Sequence, residues 1–448
     1  MEVTGKKILI IGLGKTGVSL ARFLVKRGAH VLVTDIRDAK DMKENINALK
    51  GLPVNFHMGR HCGDGLSEVD MIIPSPGVPP YNEFLVEGAE KGLPIISEIE
   101  LAFSYLKEPV VAITGTNGKT TTTKLIGEML KRCGKRVFVG GNIGEPLIEY
   151  VDGEERADYL VVEVSSFQLQ WVGNFHPYVA ILLNMSADHL DYHENFEEYR
   201  SIKERVFARQ TSDDLAILNA DDPLSEEMAG KIDADIIQFS SSKKLKRGIS
   251  IDGPLLRYRD EGGVKEDYPV EGFQIRGVHN LENIMAAIVA ARRCGCPSAG
   301  IIEAVRNFEG IPHRIEFVRS KNGVDIYNDS KGTNVDAVKR ALESFSRPVI
   351  LLMGGRYKGG DFGILSTLIR EKVKKVILFG EARDKIESFI EGITDTGWSE
   401  NLKDALEKAY DSASPGDVIL LSPGCSSFDS FANYKERGNY FKEIARDL

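Results

Sequence analysis

The residues best suited to chemistry form a glycine-containing loop, TGTNGKTT, at positions 114–121. The loop follows an apolar strand pattern and precedes a helical one, so its backbone amides can surround phosphate oxygens. The Lys119 ammonium can neutralise those phosphates, and the Thr120 hydroxyl can bind Mg²⁺. The common phosphate-loop pattern would place glycine five positions before Gly118, where this chain has Ile113. The position between strand and helix still favours a phosphate loop over an ordinary turn.

Acidic and imidazole side chains follow two further strand patterns. Glu163 ends the apolar run YLVVEV, and a carboxylate there is costly to bury unless it is ion-paired or binds a metal. The next strand pattern leads to DHLDYH at 188–193, where Asp188 and His189 lie nearer the strand end than His193. These two residues are therefore the favoured ligands, although the segment alone is also compatible with a solvated loop.

A second glycine pattern, GLGKTG at 12–17, follows the first strand pattern and precedes a helix. Its glycines permit a tight turn and close approach of the backbone to a phosphate at the helix N-terminus. Asp35 ends the second strand pattern, where an acidic residue can bind a ribose. Taken alone, this arrangement indicates either an NAD site or a glycine turn without a ligand.

The last third of the chain places cations and one acid at strand ends and loops. They are Arg314, Asp329, Lys331 and Lys358. Ligands of open parallel sheets bind outside the carboxyl ends of the strands, so three cations there favour an anionic ligand. Any one of them could instead be a solvated charge.

The elements that must position these residues alternate between short β-branched runs and helical patterns, which is typical of parallel α/β sheets. Three strand patterns lie before residue 100, and two groups of four follow it. A glycine-rich stretch at 240–272 predicts a β meander, and 277–295 predicts a helix. We expect an α/β protein of three domains. Their predicted boundaries are 1–100, 101–309 and 310–448.

Composition limits the class of protein. With 448 residues, about three domains of roughly 150 residues are expected. The net charge of −9 argues against a general nucleic-acid binder, and apolar runs of about eight residues are too short for a membrane span of roughly 20. The N-terminus lacks a signal-peptide pattern and the five cysteines form no CxxC pair, so we expect a cytoplasmic protein with reduced thiols.

The order of motifs along the chain resembles that of the Mur ligases. The segments that carry the resemblance are TGTNGKTT, VVEVSSFQL, DHLDYH, YRSIKERVF, GVHNLEN, GIPHR, NDSKGTN and LLSPGCSSFDSFANYKERG. The resemblance covers essentially the whole chain. EVSSFQL, NDSKGTN and SPGCSSFDSF are more specific than either glycine loop, and they resemble the members that add D-glutamate.

The resemblance implies a Rossmann-like N-terminal domain for the UDP moiety, a central ATPase-like parallel sheet, and a Rossmann-like C-terminal domain that receives D-glutamate and closes over ATP. It implies ATP-dependent amide formation between UDP-N-acetylmuramoyl-L-alanine and D-glutamate through an acyl phosphate, with release of ADP and phosphate. It also implies two Mg²⁺ ions, small-molecule partners alone and a monomer.

The resemblance assigns roles residue by residue. Catalysis would involve Lys119, Glu163, His189 and Lys203. The metal ligands would be Thr120, Glu163, His189 and a carbamylated Lys203, whereas the residue pattern alone predicts an ordinary exposed helical lysine at position 203. The ATP contacts would be Gly115, Thr116, Asn117, Gly118, Lys119, Thr120, Thr121, Asn280, Asn283, Arg314, Asp329 and Lys331. The UDP-sugar contacts would be Thr16, Asp35, Arg37, Ser75 and Gly77. Further substrate contacts would be Asn142, Ser165 and His189, and D-glutamate would meet Thr333, Lys358, Ser427 and Tyr434.

Two departures from the family pattern concern substrate preference. Tyr434 stands where some members have phenylalanine, and Lys15 stands where others have an apolar residue. Two other hypotheses remain open from the residues. An NAD-dependent dehydrogenase accounts for GLGKTG and Asp35 but leaves Lys119 unexplained. A non-catalytic ATP-binding switch accounts for TGTNGKTT but not for the ligand-like loops of the last third.

Overall fold

The structure, a computed structural model, describes residues 1–59, 68–189, 192–263, 265–275 and 277–448. Leu190 and Asp191 of the DHLDYH segment lie outside the described residues. Among the described residues, no helix is both long enough and apolar enough to cross a membrane.

The first sheet has four parallel strands in the order β3-β2-β1-β4. The strands are β1 (Lys7–Ile11), β2 (His30–Asp35), β3 (Val54–Met58) and β4 (Met71–Pro74). The helices of this region are α1 (Lys15–Lys26), α2 (Lys43–Asn47), α3 (Glu83–Glu90) and α4 (Glu98–Phe103). The chain leaves β1 on one side for β2 and later returns on its other side as β4. The carboxyl end of β1 is therefore the switch point at which such sheets bind ligands.

The second sheet has nine strands in the order β13-β12-β11-β10-β9-β8-β5-β7-β6. The strands are β5 (Val110–Thr114), β6 (Val137–Gly141), β7 (Tyr159–Glu163), β8 (Val179–Leu182), β9 (Leu215–Asn219), β10 (Asp235–Ser240), β11 (Gly248–Asp252), β12 (Leu255–Arg259) and β13 (Lys265–Pro269). Neighbouring strands from β6 to β11 are parallel, whereas β11, β12 and β13 are antiparallel. The predicted β meander is thereby confirmed.

The helices that follow β5 in the chain alternate with these strands. They are α5 (Lys119–Arg132), α6 (Leu147–Asp152), α7 (Ser166–Leu169), α8 (Phe196–Glu204), α9 (Pro223–Ala229), α10 (Val278–Arg293) and α11 (Ser298–Arg306). The predicted helix at 277–295 is confirmed as α10, which ends before Gly295 and Pro297.

The third sheet has six strands in the order β14-β15-β19-β16-β17-β18, with β14 antiparallel to β15 and the other pairs parallel. The strands are β14 (Glu316–Lys321), β15 (Val324–Asn328), β16 (Val349–Gly354), β17 (Val373–Phe379), β18 (Asp395–Trp398) and β19 (Val418–Gly424). The helices are α12 (Val335–Glu343), α13 (Ser366–Lys372), α14 (Arg383–Ile390), α15 (Leu402–Asp411) and α16 (Tyr434–Asp447). Alternate residues of β16 and β19 enter two apolar cores, one on each face of the sheet. Such a sheet, covered on both faces, is characteristic of doubly wound α/β folds.

The chain forms two compact units. Unit 1 comprises 1–185, 197–271 and 284–305, and unit 2 comprises 186–196, 272–283 and 306–448. The first two sheets belong to unit 1, and the third sheet belongs to unit 2. The domain boundaries at residues 100 and 309 stay a prediction.

Candidate active site

The 114–121 loop connects the end of β5 to the start of α5 and is held from one side by Asn184. Gly115 and Gly118 have φ angles of 142° and 88°, a region that glycine adopts without the steric cost that other residues have. The Asn184 carbonyl accepts from the Thr116 amide at 3.0 Å, and the Asn184 side chain exchanges two hydrogen bonds with the backbone of Asn117, at 2.9 and 3.1 Å. The loop is therefore fixed by polar contacts as well as by chain connectivity.

Two lysines meet at one carbonyl of this loop. The Lys119 ammonium donates to the Gly115 carbonyl at 2.7 Å and to the Thr116 carbonyl at 2.8 Å. The Lys203 ammonium, from α8, donates to the same Gly115 carbonyl at 3.1 Å. The sequence-based expectation that Lys203 is exposed was wrong, because only 1% of this residue is accessible to solvent.

The tyrosine one turn before Lys203 completes its surroundings. The Lys203 nitrogen lies 4.7 Å from the centroid of the Tyr199 ring, and the Tyr199 hydroxyl lies 3.1 Å from the Thr116 hydroxyl. An i, i+4 pair shares one face of a helix, so α8 presents both side chains to the loop. Tyr199 and Asn184 were missed at the sequence level. A helical face carrying Tyr199, Ile202 and Lys203 was the available signal for Tyr199, whereas a lone asparagine after β8 offered none.

Glu163 lies on the strand next to β5, opposite Ile113 in the parallel register. Asn142 fixes it with two hydrogen bonds, from its amide to the Glu163 carbonyl at 2.9 Å and from its side chain to Oε1 at 2.8 Å. The carboxylate is buried, and Oε2 has no hydrogen-bond partner among the described residues. Burying a carboxylate oxygen without a hydrogen-bond partner costs free energy unless a cation binds to that oxygen.

This donor set fits Mg²⁺. Glu163 Oε2 supplies a hard oxygen, and Thr120 follows Lys119 in the first turn of α5. No three His, Cys, Asp or Glu side chains of the described ranges cluster as a ready-made metal site. Mg²⁺ does not need such a cluster, since it usually keeps several waters and shares phosphate oxygens with one or two protein ligands.

Asp188 and His189 lie in unit 2, whereas Glu163 and Lys203 lie in unit 1. Asp188 Oδ2 accepts from the Asn334 side chain at 3.0 Å, and its Oδ1 accepts from the His189 amide at 3.0 Å. His189 has a φ angle of 54°, which is uncommon for a non-glycine residue.

Unit 2 contains a second group of predicted ATP contacts. A cavity of about 760 Å³ is lined by Asn280 and Arg314, among others. Asn283 donates to the Asn280 side chain at 3.3 Å, so these two amides form a pair at the start of α10.

Asp329 is the buried acid of this second group. Its carboxylate accepts from the Ser422 hydroxyl at 2.7 Å and from the Ile315 amide at 3.3 Å. Burial raises the pKa of Asp329 to about 6, against the opposing charge of Arg314. The side chain can therefore change its charge near neutral pH.

The residues predicted to meet D-glutamate lie in unit 2, on the loops after β15, β16 and β19 and at the start of α16. The Lys331 ammonium lies 5.7 Å from the Tyr434 ring, and the Lys358 ammonium lies 5.3 Å from the Phe428 ring. Thr333 donates its amide to the Lys331 carbonyl at 2.9 Å, and Ser427 is buried. The carboxyl ends of the parallel strands thus carry these side chains at one edge of the sheet.

The 12–17 loop has the close packing that its glycines predict. Gly12 has a φ angle of 94°, and the Ser75 hydroxyl donates to its carbonyl at 2.8 Å. A Cβ at Gly17 would lie 2.1 Å from the Gly12 carbonyl oxygen. Thr16 lies in the first turn of α1, and Gly77, with a φ angle of 93°, follows Ser75. These residues are thus gathered at the carboxyl end of β1.

The Asp35 carboxylate accepts hydrogen bonds from other groups of the protein. Its carboxylate accepts two hydrogen bonds from the Arg37 side chain, at 2.9 and 2.7 Å, and one from the Leu13 amide at 2.9 Å. Burial alone would raise the pKa of Asp35, but the bonds from Arg37 and Leu13 outweigh it and lower the pKa to about 2. Both carboxylate oxygens are engaged, so Asp35 holds the Arg37 side chain at the carboxyl end of β2.

Ser165, a predicted substrate contact, also caps the start of α7. Its hydroxyl caps α7 by accepting from the Gln168 amide at 3.3 Å, and the Gln168 side chain accepts from the Ser165 amide at 3.1 Å. This reciprocal capping box fixes the turn that follows Glu163.

Comparison with known proteins places the chain in one family. Three family models match it: the MurD-like N-terminal domain of Mur ligases at 6–97, the Mur ligase middle domain at 113–291, and the Mur ligase glutamate ligase domain at 313–425. Proteins named UDP-N-acetylmuramoylalanine--D-glutamate ligase are 51% identical in Syntrophus aciditrophicus and 46% identical in Geotalea uraniireducens. Each match covers 100% of this chain and 99% of the relative.

Solved structures show the same fold at low identity. A pseudomurein peptide ligase type C from Methanothermus fervidus has a TM-score of 0.62 at 20% identity, and covers 99% of this chain and 100% of its own. The UDP-N-acetylmuramate-alanine ligase of Thermotoga maritima has a TM-score of 0.61 at 20% identity, with 98% and 99% covered. The expected three-domain α/β architecture is confirmed, and the chain belongs to the Mur ligase family, among the members named UDP-N-acetylmuramoylalanine--D-glutamate ligase.

Proposed function

We propose that this protein joins D-glutamate to UDP-N-acetylmuramoyl-L-alanine in an ATP-dependent amide ligation that releases ADP and phosphate. The observation that carries the chemistry is the meeting of Lys119 and Lys203 at the Gly115 carbonyl, directly after β5. The neighbouring strand β7 ends at Glu163, whose Oε2 has no hydrogen-bond partner among the described residues. The names of the full-length relatives support the choice of substrates.

The reaction needs activation because a carboxylate is a poor electrophile. The L-alanyl carboxylate attacks the γ-phosphorus of ATP, ADP leaves, and an acyl phosphate forms. The D-glutamate amine then attacks the acyl carbon, phosphate leaves, and the amine gives up a proton. Holding the amine against the acyl carbon lowers the barrier by roughly 7–11 kcal/mol in favourable cases.

The residues of unit 1 stabilise the charge that develops on the phosphoryl group. Lys119 binds the β- and γ-phosphates, and the amides of 115–121 surround them. Thr120 and Glu163 would hold Mg²⁺, which would supply electrostatic stabilisation to the phosphoryl oxygens. Asn142 keeps Glu163 oriented and lies beside the substrate, together with Ser165.

Lys203 serves this site as a carbamate, formed when its neutral amine adds to CO₂ and loses a proton. The support is its burial and its position beside the Gly115 carbonyl, 3.4 Å from the Thr114 hydroxyl. A carbamate converts a buried cation into an anionic oxygen ligand, which suits a metal site better than an ammonium. His189 would help to hold a second Mg²⁺.

Unit 2 supplies the remaining contacts of the proposal. Asn280 and Asn283 bind the adenine, and Arg314, Asp329 and Lys331 bind ATP. Thr333, Lys358, Ser427 and Tyr434 bind D-glutamate. In the N-terminal domain, the UDP moiety of the substrate meets Thr16, Asp35, Arg37, Ser75 and Gly77. The protein works as a cytoplasmic monomer on small molecules, without nucleic acid or membrane.

A coupled ADP-release assay with an amino-acid panel tests this function. We expect ADP release to require both UDP-N-acetylmuramoyl-L-alanine and D-glutamate, and Lys119→Ala to abolish it. Lys131→Ala is the matched control, because Lys131 lies exposed on the same helix, 3.3 Å from Glu128. Turnover with L-glutamate but not with D-glutamate would contradict the proposal.

The same samples test the two alternatives. Binding of NAD(H) in calorimetry would revive the dehydrogenase. ATP binding without stimulation by either substrate would favour a non-catalytic switch.

A further inference from the structure

Arg437, in the first turn of α16, is fully buried and is the bulkiest of the fully buried side chains in the described part of the chain. Its Nε donates to the Ser330 hydroxyl at 3.0 Å. Its Nη2 donates to the Ser330 carbonyl at 2.9 Å and to the Cys425 carbonyl at 3.2 Å. Within the described ranges Arg437 forms no ion pair, and its Nη1 has no hydrogen-bond partner. The guanidinium therefore donates its hydrogen bonds to backbone and hydroxyl oxygens, and not to a carboxylate.

These contacts join separate loops at the carboxyl end of the third sheet. Ser330 follows β15 and lies between Asp329 and Lys331, whereas Cys425 follows β19 and lies two residues before Ser427. One side chain from α16 thus links the loop of the predicted ATP contacts to a loop of the predicted amino-acid contacts.

The loop after β16 also lies against this guanidinium. A Cβ at Gly355 would lie 3.1 Å from Arg437 Nη1 and 2.2 Å from the Ser426 carbonyl oxygen, so glycine permits the approach. The backbones of Arg356 and Ser426 exchange two hydrogen bonds, at 2.9 and 3.1 Å. Three strand-end loops therefore converge around Arg437.

A buried charge without a carboxylate partner is costly, and burial lowers the pKa of Arg437 to about 10 although Asp429 is nearby. An apolar side chain of similar volume would avoid that cost. Methionine could fill much of the space but could not hold three carbonyl or hydroxyl oxygens at once. What arginine adds at this position is a set of hydrogen bonds that fixes the distance between the loops.

We propose that Arg437 is a positioning residue for the amino-acid substrate: its guanidinium sets the distance between the Ser330 loop and the Cys425 loop, so that Thr333 and Ser427 face D-glutamate together. Arg437 does not itself touch the substrate. This inference rests on the proposed function.

Steady-state kinetics of Arg437→Met, Arg437→Lys and Ser330→Ala test it. We expect Arg437→Met to raise the KM for D-glutamate by about tenfold or more, since small misplacements of binding groups have effects of this size. The KM for UDP-N-acetylmuramoyl-L-alanine should stay within about twofold, because its predicted contacts other than His189 lie in unit 1. Arg437→Lys keeps the charge but not the planar fork, so it should recover only part of the loss.

Arg319→Met is the matched control, since Arg319 donates to the Ala445 and Arg446 carbonyls, at 3.3 and 2.7 Å, at the other end of the same helix. It should leave the KM for D-glutamate unchanged. A purely structural role for Arg437 would lower the thermal midpoint and the active fraction of Arg437→Met while leaving that KM unchanged, and this result would overturn the inference.

Ser330→Ala decides the matter if Arg437→Met does not fold, because it removes only the hydroxyl that accepts from Arg437 and donates to the Tyr434 carbonyl at 2.8 Å. We expect a rise of about threefold or more in the KM for D-glutamate; no rise would refute the inference. Failure of the wild-type protein to use D-glutamate would refute the proposed function instead, so the two failures are distinguishable.

Discussion

Lys203 is the residue whose surroundings differ most from its sequence context. Its neighbours Glu204 and Arg205 suggest an exposed helical surface, yet the side chain is buried against the phosphate loop. Burying an ammonium is costly unless several acceptors or a chemical change compensate. The Gly115 carbonyl, the Thr114 hydroxyl and the Tyr199 ring surround the Lys203 nitrogen, and the proposed carbamate would replace this buried cation by an anionic group.

Replacing Lys203 with alanine should remove nearly all ligase activity, because the oxygens of the proposed carbamate would be lost from the proposed metal site. Added short carboxylic acids should restore part of the rate, since they can place a carboxylate in the space left by the side chain. The measurement is ADP release with increasing concentrations of the acid. Wild-type rates without the acid would contradict a carbamate role, and Lys131→Ala provides the control.

Glu163→Gln tests the metal ligand while preserving the local hydrogen bonds. The glutamine Oε1 can still accept from Asn142, but the charge and the unpaired Oε2 are lost. We expect kcat to fall by about 100-fold or more, because metal stabilisation of the phosphoryl group contributes several kcal/mol. The Mg²⁺ concentration for half-maximal rate should rise. An unchanged Mg²⁺ dependence would exclude Glu163 as a ligand.

Some of the site residues could be predicted from the sequence, and others could not. Lys119 and Glu163 follow apolar strand patterns, so their position at one edge of the sheet follows from strand polarity alone. Helical periodicity places Lys203 and Tyr199 on one face of α8, but it does not show that this face packs against the phosphate loop. Asn184 acts through its backbone and amide, and nothing in its neighbourhood distinguishes it from a loop residue.

At the scale of elements, most buried strands were predictable and so were the edge strands β4 and β6, whereas β3, β14 and β18 were not. The patterns of β1, β5, β7, β16 and β19 are apolar and β-branched. The outer strands β3, β14 and β18 are only partly buried and lack such runs. β9 carries an apolar run that a strand pattern could have identified. Edge strands are specified largely by pairing with a neighbour, which a local pattern cannot show.

The short helix α4 connects the first sheet to the second and carries two buried carboxylates. Glu100 accepts from the backbone amides of Asn174 and Phe175, at 2.8 and 3.0 Å. Glu98 accepts from the Ile148 amide at 2.6 Å, and its Oε2 has no partner among the described residues. Burial raises the pKa of Glu98 to about 7. This carboxyl therefore titrates near neutral pH.

The pKa of Glu98 predicts how stability depends on pH. A carboxyl whose pKa is raised on folding contributes stability below its unfolded pKa, near 4.5, and that contribution is lost as pH rises through about 7. Glu98→Gln stays neutral, so it should gain about 1–3 kcal/mol relative to wild type at pH 8 and little at pH 5. Urea unfolding at both pH values measures this difference. An equal effect at the two pH values would exclude the titration of Glu98 as its cause.

At the scale of the molecule, the predicted site is distributed over two units that have separate cores. Lys119, Glu163 and Lys203 belong to unit 1, whereas Arg314 and Asp329 belong to unit 2. Large proteins with separate cores commonly unfold in more than one step. Each unit also contains one buried carboxyl whose raised pKa provides an internal probe, Glu98 in unit 1 and Asp329 in unit 2.

Calorimetry at pH 8 should therefore show more than one thermal transition, and two substitutions should assign them. Both carboxyls are largely ionised at pH 8, above their folded pKa values of about 7 and about 6, where their raised pKa values lower stability. Glu98→Gln should raise only the transition of unit 1 and Asp329→Asn only that of unit 2, by about 2–4 °C for each kcal/mol gained. At pH 4 both shifts should largely vanish, because the wild-type carboxyls are then mostly neutral. A single transition that both substitutions move equally would mean that the two units unfold as one cooperative body.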